Sequence, residues 1–269
     1  MPLFLDAHQH LTPADCPVGL APAPSFDDVD AARELTARRE SMIQAGIEQA
    51  LMLPFHSYQR PRGQADTSAV NDTVAAYRDS HPDLVLAAAG VVEPQHAAAG
   101  HAEIERIAGP LGLAGISFHT RFQGCPTNDP AVIDLVRRAT ALGLICFLHA
   151  GYSSEESVWR VLAVARAVPD ARIVLLDGLT GPDQCHEACL AAQLSDNIWF
   201  DTAGCPDFEF VRRILDRAGP ERVLFGSNLT SSYSPRRIAS VVIDGLAGLP
   251  EPARRAVAGD NLVELLGGA

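Results

Sequence analysis

Pro130-Ala-Val-Ile-Asp-Leu-Val-Arg-Arg-Ala-Thr-Ala-Leu142, then Gly143, then Leu144-Ile-Cys-Phe-Leu-His149 is the stretch that contains the repeating unit of this chain. The first segment has the apolar period of an amphipathic helix and opens on a proline, tolerated there because the first N–H groups of a helix have no partner within it. Gly143 stands where a left-handed cap would end that helix. The short apolar run that follows reads as a strand and ends on a histidine.

The same alternation extends in both directions through 269 residues. Strands are expected at 3–7, 47–54, 84–92, 114–118, 144–149, 172–177, 197–201 and 222–227. Helices are expected at 27–45, 67–80, 96–108, 130–142, 154–168, 182–194, 206–218 and 234–246, with one more at 251–266 to close the bottom or side. Gly46 and Gly219 repeat the position of Gly143. None of the strand runs alternates apolar with polar residues, as an exposed sheet face would require, so both faces should be covered. Parallel strands joined by right-handed crossovers leave a closed barrel or an open doubly wound sheet. Eight units of similar length favour the barrel, and no G-x-G-x-x-G follows the first strand to suggest a dinucleotide site. The expectation is an α/β chain forming a single (β/α)8 TIM barrel over residues 1–269.

Composition narrows the partners. Hydrophobic residues make up 47% of the chain and charged residues 20%, enough apolar surface for a large core. The net charge of −12 repels phosphate backbones and anionic lipid, so neither nucleic acid nor membrane is expected as a partner. The N-terminus reads as a strand and not as a signal peptide, and a cytoplasmic protein is expected. The cysteines, Cys16, Cys125, Cys146, Cys185, Cys189 and Cys205, form no C-x-x-C pair and read as reduced thiols. Cys185 and Cys189 have helical metal-ligand spacing but no second pair to complete a site.

In a barrel, the residues that end strands on the C-terminal side build the site. Asp6, His8 and His10 are spaced by two on the first strand, which predicts one shared face, with Ala7 and Gln9 on the other. His149 ends the fifth strand, across the mouth from the first, so three imidazoles are expected to meet on one cation near the axis. The loops at 11–26 and 56–66 follow strands and are expected over the same mouth, with His56, Tyr58 and Arg62 as candidates to line it. His119 and Arg121, two apart beyond the fourth strand, would both face the pocket if the strand continues. Arg121 would then hold a substrate carboxylate, the alternative being a surface ion pair. Residues 231–234 lack the turn that exposes a catalytic serine.

The order of Asp-Ala-His-Gln-His at 6–10, Gly-Ile-Ser-Phe-His-Thr-Arg-Phe-Gln-Gly at 115–124, Phe-Leu-His-Ala-Gly at 147–151, Asn-Ile-Trp-Phe-Asp-Thr-Ala-Gly at 197–204, Arg-Val-Leu-Phe-Gly-Ser at 222–227 and a late Gly-Asp-Asn-Leu resembles the amidohydrolase-related family of metal-dependent hydrolases and decarboxylases over the whole chain. The resemblance implies a metal between His8, His10, His149 and an aspartate ending strand eight, with a strand-six histidine beside it. Two positions depart from that pattern. Asp177 stands where the family has the histidine, and Asn228 where it has the aspartate. An asparagine can offer a neutral oxygen to a metal but takes up no proton near neutral pH. Asp177 is the natural substitute, binding the metal or accepting a proton, unless it merely caps a turn or neutralises an arginine.

The expected cofactor is one divalent metal ion, with zinc the first choice and manganese or iron the alternatives. The expected function is hydrolysis of a small organic acid, amide or lactone, an anionic group of the substrate being held by Arg121, His119 or His56. Non-oxidative decarboxylation, an iron-dependent oxygenase and a barrel that binds without turnover are the alternatives. The residues do not specify an oligomeric state; many barrels of this type pair, which leaves a homodimer open.

Overall fold

The computed structural model describes residues 4–12, 28–229 and 236–267. Residues 13–26 of the loop expected at 11–26, and the serine-rich segment at 231–234, lie outside the described residues. Strands β1 (Phe4–His10), β2 (Ile47–Leu53), β3 (Val85–Val91), β4 (Gly115–Phe118), β5 (Ile145–His149), β6 (Ile173–Leu176), β7 (Ile198–Asp201) and β8 (Val223–Leu224) lie side by side in chain order, every neighbouring pair parallel. The ring closes between β1 and the residues after β8, where Ala7 N donates to Phe225 O at 2.8 Å, Asn228 N to His8 O at 2.8 Å and His10 N to Leu229 O at 3.0 Å.

The helices are α1 (Asp28–Ala45), α2 (Gln64–Ser80), α3 (Ala97–Ala108), α4 (Thr120–Gln123), α5 (Pro130–Ala141), α6 (Val158–Ala167), α7 (Pro182–Leu194), α8 (Phe208–Ala218), α9 (Arg236–Leu246), α10 (Glu251–Arg255) and α11 (Asn261–Gly267). The barrel is therefore as the alternation predicts, with differences at the edges of elements. The expected helix at 251–266 is broken by a π turn at Ala256–Asp260, and its second part closes the bottom, where Leu262 and Leu265 pack on the barrel interior. No described helix is long and apolar enough to cross a membrane.

Side-chain alternation divides the core into two layers. Ile145 and Phe147 of β5 point into the barrel with Ala7, Leu51, Leu53, Ala89, Val174, Leu176 and Leu224, while Cys146 and Leu148 point out to the helices. His149 continues the inward series, so the packed interior ends where polar groups begin.

Strand β1 departs from strict alternation. Between Asp6 and Gln9 it spans three residues against two on β2, from Ala50 to Met52, which is a β-bulge. Ala7 consequently packs inside the barrel rather than on the face opposite His8, while Gln9 faces outward. Asp6 leaves the face of the histidines, its carboxylate accepting from Ser227 Oγ at 2.5 Å, Ser227 N at 2.9 Å and Gln9 Nε2 at 2.8 Å. That carboxylate ties β1 to the end of β8 across the closing seam.

Candidate metal centre

The bulge and the end of β5 bring His8, His10 and His149 together, one ligand atom of each lying within 4.8 Å of the others. All three rings are buried. Each Nδ1 faces an acceptor: Asp201 Oδ2 for His8 at 2.5 Å, Pro54 O for His10 at 2.9 Å and Phe118 O for His149 at 2.8 Å. A carbonyl oxygen can only accept, so the ring proton of His10 and of His149 sits on Nδ1, and the Asp201 carboxylate places that of His8 likewise. The inner nitrogens are then bare lone pairs, yet His10 Nε2 lies 3.0 Å from His8 Nε2 and 3.2 Å from His149 Nε2. Lone pairs at that distance repel unless a proton or a metal ion lies between them, and three convergent imidazole nitrogens are a donor set that fits a divalent metal ion.

The surroundings set the protonation of these rings. Burial, reinforced by the neighbouring imidazoles, holds His10 and His149 well below the ordinary histidine range, the neutral form a ligand requires. Burial also opposes charge on His8, but the carboxylates of Asp177 and Asp201 outweigh it and raise its pKa. Asp201 ends β7 and is the outer partner that fixes the His8 tautomer. Gly226 lets the chain pass close to this pair, since a Cβ there would lie 3.0 Å from Asp201 Oδ2 and 3.1 Å from His8 Cβ.

Asp177 and Asn228, the two positions that differ from the family pattern, are the only non-glycine residues with positive φ among the described residues, at 59° and 54°. Aspartate and asparagine tolerate this left-handed region better than other side-chain-bearing residues. Asn228 Nδ2 donates to Asp177 Oδ1 at 3.1 Å, and Asp177 N donates to Asp201 Oδ1 at 2.9 Å. Asp177 is not among the residues of the three-histidine group; it stands within electrostatic reach of His8. Burial is the main force raising its carboxyl to about 7, partly opposed by His8.

The other candidates are distributed around this centre. His119 stacks on His149 with ring centroids 4.1 Å apart, and its Nδ1 meets Glu156 Oε1 at 2.5 Å. Strand β4 does not continue to residue 121: it ends at Phe118, and α4 follows, closed by Gly124 at φ 71°. His119 and Arg121 therefore do not share a strand face. Arg121 stands at the exposed rim, its guanidinium carbon 4.5 Å from the Phe122 ring centroid and 5.6 Å from that of Tyr152, with no carboxylate partner among the described residues. His56 Nε2 lies 3.0 Å from Ser117 Oγ, its ring 5.4 Å from that of His149, and its buried Nδ1 has no hydrogen-bond partner among the described residues. Glu156 Oε2 is likewise buried and without a partner. Tyr58 and Arg62 are occupied elsewhere, Tyr58 donating to Glu93 Oε1 at 2.9 Å and Arg62 pairing with Asp66 at 2.6 Å.

Sequence reasoning missed Asp201 and Glu156. Asp201 carried a usable signal, being a carboxylate at the C-terminal end of a barrel strand. Glu156 carried none, lying in a 3-10 turn and reaching a histidine 37 positions away.

A family model described as Amidohydrolase matches residues 5–268. A search of curated proteins finds no match. Among solved structures, the chain is similar to a 5-carboxyvanillate decarboxylase from Sphingomonas paucimobilis, with TM-score 0.70 and 17% identity over 98% of each chain. It is also similar to a 2,6-dihydroxybenzoate decarboxylase from Rhizobium, with TM-score 0.73 and 14% identity over 99% of each chain. A dihydroxybenzoic acid decarboxylase from Polaromonas, solved with manganese and 2-nitroresorcinol, aligns with TM-score 0.72 and 14% identity over 99% of this chain and 97% of that one. At these identities the likeness establishes the fold alone.

Proposed function

The chain belongs to the amidohydrolase family, and on that premise we propose that it is a metal-dependent lyase releasing carbon dioxide from a small aromatic hydroxy acid. The observation that carries this reading is Asn228. Its amide takes up no proton and is engaged as a donor to Asp177, so hydrolysis lacks the base that the family pattern puts there. Decarboxylation needs no such base; it needs the acid held in place and a proton delivered to carbon. The carboxyvanillate and dihydroxybenzoate decarboxylases that share this fold support the substrate class, and the manganese in the Polaromonas structure favours manganese over zinc.

His8, His10 and His149 would hold the ion through Nε2. A bound divalent ion would supply positive charge that offsets the negative charge of the acid while its carbon–carbon bond breaks. The electron pair of that bond stays on the ring carbon, and the proton of the Asp177 carboxyl ends there. Glu156 Oε2 can accept from a substrate hydroxyl, and the free His56 Nδ1 can bond a second polar group. The rings of His119 and Phe122 meet edge to face, centroids 4.6 Å apart and planes at 77°, and give the aromatic substrate an apolar corner.

Arg121, held over two rings and without an ion pair among the described residues, is positioned to grip a carboxylate at the rim. Arg121→Gln is expected to raise KM about 10–100-fold, the worth of a charge-assisted hydrogen bond, with kcat changed less than about threefold. Steady-state kinetics check this, and an unchanged KM would place the arginine outside recognition.

Hydrolysis of a small amide or lactone is the second reading, favoured by a three-nitrogen ligand set that leaves positions open for water. The two are separated by incubating manganese-loaded protein with ortho-hydroxybenzoates in deuterated water. Carbon dioxide release with deuterium at the vacated ring carbon is expected, lost in Asp177→Asn while metal content is retained. Turnover of amides or lactones with no carbon dioxide from any acid would overturn the lyase reading.

A further inference from the structure

The helix pair α7 and α8, on the outside of the barrel, carries a second group of reactive side chains. Cys185 and Cys189 lie one turn apart on α7, Cys185 buried and Cys189 half-buried. The i, i+4 spacing puts the two thiols on one face of α7, and Cys185 Sγ donates to Phe210 O of α8 at 3.9 Å, which fixes it at the contact between the helices. Cys189 lines a surface pocket of about 290 Å³ together with His186 of α7 and Arg213, Asp216 and Arg217 of α8. Arg213 is only loosely engaged, 3.5 Å from an exposed Glu209, and no carboxylate pairs with Arg217 among the described residues.

We propose that this pocket is a thiol-modification site, where the Cys189 thiolate exchanges with anionic low-molecular-weight disulfides. Cys189 Sγ attacks one sulfur of the incoming disulfide, the bond between its two sulfurs breaks, a new sulfur–sulfur bond forms at Cys189, and the other half leaves as a thiolate. The reaction needs no oxidant beyond the disulfide itself. Three features of the site favour it. The buried Cys185 S–H can donate to the neighbouring thiolate, two guanidinium groups offset its charge and attract an anionic reagent, and the pocket gives access. The hydrogen bond from Cys185, followed by Arg217 and Arg213, lowers Cys189 to about 7, whereas Cys185 is driven up. Asp216 opposes this shift, and burial does so as well. By contrast, burial pushes the half-buried Cys125 up to about 11.

The test uses the full chain with the dianionic disulfide dithiobis-nitrobenzoate and the uncharged dithiodipyridine. One fast equivalent per chain is expected, mapped by peptide mass to Cys189, half-maximal near pH 7 and absent in Cys189→Ser. Arg213→Gln with Arg217→Gln should lower the rate ratio of anionic to uncharged reagent about tenfold. Cys185→Ala should move the half-maximal pH toward the ordinary thiol value of about 8.5. A fast phase that survives Cys189→Ser, or a profile of the unmodified chain already centred at about 8.5, would overturn the proposal.

Discussion

Replacing His149 by alanine is expected to empty the metal centre while leaving the barrel folded. His149 ends β5 with its Nε2 3.2 Å from that of His10, so its removal opens one side of the three-nitrogen set. The Phe118 carbonyl that orients the ring keeps its place on β4 because β4 pairs with β5 and β3 independently of that side chain. Loss of an outer partner typically lowers metal affinity about 10–100-fold, and loss of a ligand should exceed that. Asp201→Asn supplies the graded control. It spares the three ligands but turns an acceptor for His8 Nδ1 into a group that also carries donors, so an intermediate loss of about 10–100-fold is expected. Titration of the chelator-stripped proteins with manganese, followed by calorimetry, should order the wild type, Asp201→Asn and His149→Ala by falling affinity. Equal affinity in all three would break the link between these side chains and the ion.

The largest effect on stability is expected at Arg38. Its guanidinium is fully buried against an equally buried Glu34, which lies 2.5 Å away and also accepts from Tyr77 Oη at 2.6 Å. The same guanidinium donates to Gln9 Oε1 at 2.6 Å and to the carbonyl of His10 at 2.8 Å, so it holds the bulged end of β1 from outside. Arg38→Met leaves Glu34 charged, buried and unpaired, at a cost of about 3–5 kcal/mol. In a domain of this size that lowers the melting temperature by roughly 6–20 °C. Adding Glu34→Gln removes the stranded charge, and the double variant should recover much of the loss. Urea unfolding measures both. A loss under about 1 kcal/mol in Arg38→Met would mean the pair contributes no more than a surface salt bridge.

The barrel was legible because its signal is local. The helix ending just before Gly143 and the strand ending at His149 each follow from a short window of sequence, and this unit repeats around the ring. The bulge in β1 was not legible, because two residues opposing one is a property of the pairing with β2. Period-two reading therefore found His8 and His10 but assigned Asp6 to their face, where it actually buttons the seam to Ser227. The separation of His119 from Arg121 was hidden for a similar reason. One turn of helix closed by Gly124 is too short to leave a periodic trace. Asp201 meets His8 across 193 positions, a contact that only barrel closure creates. The departures at Asp177 and Asn228 could be read as changed residues, but their joint left-handed backbone and mutual hydrogen bond belong to the folded chain.

The most direct test is a crystal of manganese-loaded protein measured at the manganese absorption edge. The predicted result is one anomalous peak in contact with the Nε2 atoms of His8, His10 and His149. A peak elsewhere, or none after saturation with the ion, would contradict the metal centre and with it the chemistry proposed for the barrel mouth.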